Sequence, residues 1–310
     1  MWYWVHLLDL ISYRITIYGV IQMNNKSIIP FSEIDQDNII YPSSDEVEVL
    51  EYYLNQKDKF DTLIKSFHIA DFNFHQLFYH FTIYSDDTLK REEGLPSDDF
   101  VVINALIINY LSTSKMFVDI VENFDSSLYE TFHSYVSSKF DSSFYYQLMT
   151  ILRNFSLHGH LPVYLHDNRY SFNLNYILEE GKRFNFNKTS KRKIEEITRR
   201  IFEEYQDIAN ISLLRTVVEY HKVILEIFVH FFTVNYYNFL KVYNNFQKII
   251  KRYDHKKRND SVCVALDDTL HIVKSTDSVN KLFRVEQFKA KKHLETHINN
   301  FKQIINSNGQ

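Results

Sequence analysis

Glycine and proline are scarce in this sequence, 5 and 4 in 310 residues. So few chain-breaking positions disfavour folds with many tight turns, exclude Gly-rich phosphate loops and favour long helices. The single cysteine, Cys263, excludes an intrachain disulfide and a cysteine-based zinc site. Its expected role is that of a small buried hydrophobe. No stretch offers the ~18 uninterrupted apolar residues of a membrane span. The two most apolar, FVVINALIINYL and VILEIFVHFFTVNYYNFL, are flanked by charges within a turn or two. The opening MWYWVHLLDLISYR has neither a basic n-region nor a small-residue cleavage site, so no signal peptide is expected. A cytoplasmic protein without a membrane partner follows as the expectation. Nucleophile elbow, P-loop, dinucleotide fingerprint and H-E-x-x-H are all missing.

Aromatic residues are plentiful: 26 Phe and 22 Tyr in a chain that is 45% hydrophobic. That is far more than a disordered chain carries, and enough for one large core or two small ones. The net charge of −4 hides an asymmetry. Residues 1–150 hold 9 Lys and Arg against 22 Asp and Glu, whereas residues 151–310 hold 26 against 17. A basic half attracts a polyanion, or docks on an acidic half of the same or another chain.

The pattern along the chain is mainly α. Residues 1–43 read as an irregular extension and 44–310 as one helical domain, with β-hairpins inserted near 161–180 and 261–275. Helical periodicity begins at about Asp45 and runs to Tyr84. A second helix starts after Ser97, a cap followed by Asp98 and Asp99 in the first turn, with Val101, Ala105, Ile108 and Leu111 as its face. Helices over about 127–140 and from Asp141 or Ser142 to Gly159 follow. The latter has a core stripe of Phe144, Leu148, Ile151 and Phe155, and Gly159 is its natural stop. Ser190 opens a long helical stretch, and a basic helix over about Val279–Ile305 closes the chain.

Fourteen histidines invite a search for metal ligands. His75 and His80 are five apart, the wrong spacing for one helix face. His293 and His297 are four apart, but Lys291 and Lys292 crowd them and no third ligand is apparent, so neither a metal nor another cofactor is expected. Among the basic clusters, Arg199 and Arg200 follow Glu195 and Glu196 by four residues and read as ion-paired surface. Lys191, Arg192 and Lys193, with Lys256, Lys257 and Arg258, are the better RNA-binding candidates.

The most specific segment is LRNFSLHGH, residues 152–160. Cleaving RNA through its own 2′-hydroxyl needs a base, an acid and a cation to stabilise charge on phosphorus. Histidine does the proton work near neutrality, and a guanidinium suits phosphoryl oxygens. Arg153 lies about 180° from the core stripe on an ideal helix, so it need not be buried. His158 and His160 both follow at useful spacing, and helix geometry does not decide between them.

RNFSLH resembles the R-x(4–6)-H motif of HEPN ribonucleases, in the form where Asn follows the arginine. The context INALIINYLSTSKMFVDIVE followed by FYYQLMTILRNFSLHGHLP is similar to bacterial HEPN-type proteins with an LRNYxQHxGxP segment, over residues 97–162. The resemblance implies a HEPN-like helical bundle, a homodimer that joins two motifs, and metal-independent cleavage leaving a 2′,3′-cyclic phosphate. It also implies a toxin or antiphage-defence role, with an antitoxin or defence-system partner. In these terms Arg153 stabilises the phosphate, Asn154 assists, and His158, or His160 as second choice, is the general acid–base. The subclass motif H-x-Y is not met, because position 160 is His and the nearest tyrosine is Tyr164. The alternatives are a non-catalytic RNA- or partner-binding module on the same scaffold, and an antitoxin-like or assembly subunit.

Overall fold

A computed structural model describes residues 39–84, 98–157, 161–166, 169–172, 211–256, 261–266, 269–274 and 279–308, with isolated positions between 174 and 203. The described chain is mainly helical. Its elements are β1 (Ile39–Ile40), α1 (Ser44–Tyr84), α2 (Asp98–Glu122), α3 (Tyr129–Ser142), α4 (Phe144–Leu157), β2 (Tyr164–His166), β3 (Arg169–Phe172), β4 (Ile211–Ser212), α5 (Leu213–Arg252), β5 (Ser261–Leu266), β6 (Thr269–Lys274) and α6 (Val279–Asn308). Among the described residues, those of 39–47 and 249–274 form one compact unit, and those of 48–248 and 279–308 form the other.

In the smaller unit β5 and β6 form a hairpin, and β1 joins it in parallel, Ile39 opposite Cys263 and Ile40 opposite Val264. A strand from the N-terminal extension is thus partner to the distant hairpin. Two polar ties hold this strand and the start of α1. Lys256 Nζ donates to the Ile39 carbonyl over 2.9 Å. Glu46 accepts from the Ser43 N–H at 3.0 Å, closing a capping box at the start of α1, and also from Arg252 and Tyr253.

The larger unit is a helical bundle on α1 and α5. Leu63, Phe67, Ala70, Phe74 and Leu77 of α1 are buried at alternating steps of four and three, the spacing of one helix face. Their partners on α5 descend as α1 ascends. Tyr53 stacks on Phe246 at 3.7 Å, Phe67 on Phe228 at 3.8 Å and Phe74 on His221 at 3.7 Å, so the two helices are antiparallel. Phe60 is the hub, in ring contact with Phe231, Phe232, Phe239 and, from α6, Phe283. This is where the many Phe residues go: large rings fill the wide gaps between helices of 41, 40 and 30 residues.

The α2 helix begins where its acidic first turn predicts, but its buried face is rotated from the expected one, and of that stripe only Leu111 is fully buried. Ile103, Ile107, Tyr110, Ser114, Phe117 and Val121 are buried, whereas Val101 is 60% exposed. The helix is apolar nearly all round, so periodicity alone does not choose; the bulk of Tyr110 and Phe117, packed on α5, does. The start of α4 also shifts. The preceding helix runs on through Ser142, and Ser143 is the cap, its hydroxyl accepting the Tyr146 N–H at 3.2 Å. Ser97 and Gly159 lie outside the described residues.

Phe100–Glu122 and Leu213–Arg252 are long and apolar enough to cross a membrane by length and composition alone. About half of each most apolar window, 44% and 50%, is buried inside the fold. Their inward faces also carry Asn104, Ser114, Thr216 and His221.

Candidate functional site

Two polar arrangements stand out in the larger unit. The first surrounds Arg153. The α4 helix buries Tyr146, Leu148, Met149, Ile151, Leu152 and Phe155, a broader face than the expected stripe, with Phe144 only half-buried. That breadth draws Arg153 to the boundary of the core, where it is half-buried rather than free. Its Nε is buried and has no hydrogen-bond partner. The guanidinium lines a cleft of about 710 Å³ together with Asn55, Lys59 and Thr62 of α1 and Ser112, Asp119 and Asn123 of α2. Asp58 is also in the wall, so the cleft is mixed in charge, not a basic track. Asp119 is paired with Lys115. Asn154 is half-buried on the next step of α4.

His158 and His160 lie outside the described residues. The chain immediately beyond them is anchored: the buried Asn104 of α2 accepts the Val163 N–H at 3.1 Å. Of the basic candidates, Arg192 is helical and exposed. Lys256 is committed to the β1 carbonyl, a structural task its sequence does not advertise. Lys191, Lys193, Lys257 and Arg258 lie outside the described residues. Arg199 sits 4.0 Å from Glu203, one turn toward the C-terminal end.

The second arrangement was not legible in motif spacing. Asp71 and His75, one turn apart on α1, meet His293 of α6 and His221 of α5. Asp71 Oδ1 lies 3.6 Å from His75 Nε2, 3.5 Å from His293 Nε2 and 3.2 Å from His221 Nε2. The ligating atoms of Asp71, His75 and His293 all fall within 4.8 Å of one another. The sequence pairs His293 with His297, but His297 turns away and its Nε2–H donates to the Val218 carbonyl at 3.0 Å. The groups that face His293 come from α1, Asp71 lying 222 positions earlier in the sequence. The D-x-x-x-H pair of Asp71 and His75, with His68 one turn before it, was the local signal available.

Electrostatics fix the states of this cluster. Burial opposes the Asp71 charge, but His293, His75 and His221 more than offset it, so the carboxyl stays ionised, far below the usual range. Burial pushes His221 down to about 3, and the imidazole is neutral. Its Nδ1 is 3.0 Å from the Tyr110 hydroxyl. Burial likewise raises Tyr110 and Tyr220, so both remain neutral phenols, with the Arg153 charge pulling Tyr220 back slightly. His297 is pushed down to about 4, again chiefly by burial.

No protein-family model, curated protein or solved structure matches this chain.

Proposed function

We propose that the chain is a metal-independent endoribonuclease of the HEPN type, cytoplasmic and homodimeric, serving as a toxin or defence effector. The observation that carries this is Arg153: a half-buried arginine lining a cleft, its Nε–H without a partner, five positions before His158 in the sequence. A buried N–H without a partner costs about 1–3 kcal/mol, an expense that a phosphoryl oxygen would offset. In this scheme the RNA 2′-hydroxyl attacks its own phosphorus. A histidine of the 158–160 segment takes the proton, and a second histidine, from the partner protomer, protonates the leaving 5′-oxygen. Arg153 holds the equatorial oxygens as charge builds on them, and Asn154 orients the substrate. RNA is the substrate, and an antitoxin or defence component would restrain the enzyme.

The chemistry is tested by the substrate. RNA should be cut to 2′,3′-cyclic phosphate ends, and the same strand with 2′-O-methyl groups should stay intact. Cleavage of both strands would overturn 2′-hydroxyl attack. Comparing His158→Ala with His160→Ala then assigns the base: the catalytic position should lose about 10²–10⁴-fold in rate, the other little.

A further inference from the structure

The histidine cluster is independent of Arg153 and carries its own chemistry. Its distances decide between two accounts. A proton-sharing network would bring nitrogen and oxygen to about 2.7–3.2 Å in aligned pairs. Two of the three separations here, 3.5 and 3.6 Å, are too long for that. At 3.2 Å, His221 Nε2 alone is close enough to share a proton with Asp71 Oδ1, and the alignment of that pair is poor. Ligand atoms around a tetrahedral zinc, with bonds of about 2.0–2.1 Å, stand roughly 3.4 Å apart. The separations of Asp71 Oδ1 from His75 and His293, 3.6 and 3.5 Å, match two edges of such a polyhedron.

We propose that Asp71, His75 and His293 bind one divalent ion of the zinc class, with water at the remaining position. Two imidazoles and one carboxylate form a borderline donor set that suits Zn²⁺ or Co²⁺ and not the all-oxygen preference of Mg²⁺ or Ca²⁺. The surroundings fit. His221, held flat against Phe74 at 3.7 Å and with the Tyr110 hydroxyl at its Nδ1, lies 3.2 Å from Asp71 Oδ1 and supports the carboxylate from behind. Asp71 is buried while His75 and His293 are half-buried, so an ion has a route in from the His75 side. The site ties α1 to α6 and has no part in the scheme for RNA cleavage.

The test is metal uptake, with no activity readout, so it stands or falls separately from the ribonuclease proposal. Chelator-washed full-length protein is titrated with Zn²⁺ and, in parallel, Co²⁺. One ion per chain should bind, the melting temperature should rise, and Co²⁺ should show the intense visible bands of four-coordination. His293→Gln and His75→Gln should weaken binding by about 100-fold or more. The His75 variant decides if the His293 variant does not fold, because His75 is the most accessible member. His133→Gln, an exposed histidine bonded to Glu122, should bind as the wild type does. Sub-stoichiometric uptake by the wild type, or equal affinity in His75→Gln and wild type, would overturn the proposal.

Discussion

Arg153 separates a functional role from a structural one by its stability effect. A buried Nε without a partner destabilises the fold, so Arg153→Met, which keeps the aliphatic stem and removes the orphan donor, should raise stability by about 1 kcal/mol. Thermal or denaturant unfolding checks this; a loss of 1 kcal/mol or more would mean that the guanidinium supports the fold. Glu46 behaves in the opposite sense. Burial pushes its carboxyl up, but bonds from the Ser43 N–H, Tyr253 and Arg252 together bring it below the ordinary value of 4.5. A depressed carboxyl contributes stability above its unfolded pKa and loses it as pH falls through the folded one. Glu46→Gln should therefore cost about 1 kcal/mol at pH 7, with the exposed Arg252 adding little, and the gap to wild type should close on acidification. A gap that persists at low pH would assign the effect to packing.

At the level of elements, the starts of α2 and α6 were legible because acidic first turns and polar-to-apolar transitions are local signals. The inward face of α2 was not. Val101 and Ile103 are equally apolar in sequence, and only the rings of α1 and α5 select Ile103, Tyr110 and Phe117. The proposed metal site escaped for a related reason: its members sit on α1 and α6, and no spacing rule links positions 71 and 75 to 293. The Arg153 motif was legible because it is local, yet its cleft is built by α1 and α2. Packing makes Phe60 the residue whose loss should be felt most. Phe60→Ala should destabilise by about 3–5 kcal/mol, and Phe60→Leu by clearly less, in equilibrium unfolding. The Lys139–Glu226 pair links α3 to α5 at 2.7 Å, with both side chains about a quarter exposed. Its coupling in a double-mutant cycle should be only about 0.5–1 kcal/mol.

The whole molecule carries its charge unevenly, with the acidic excess before residue 151 and the basic excess after it. Two copies of one chain can use that asymmetry in an isologous pair, which is what a composite ribonuclease site requires. Mixing wild type with the inactive variant of the catalytic histidine then gives a sharp expectation. Every site draws a histidine from each protomer, so a mixed dimer has no complete site, and an equal mixture should fall to roughly a quarter of wild-type activity after subunit exchange. A fall to only one half, as simple dilution gives, would place the full site within one protomer. The central claim, that Arg153 stabilises the transition state of RNA cleavage without a metal, is tested most directly by one comparison. Wild type and Arg153→Ala, both folded by circular dichroism, are incubated with RNA in excess EDTA. Wild type should cleave, and the variant should be slower by about 10²–10³-fold. Equal rates for the two proteins, or no cleavage by wild type, would contradict it.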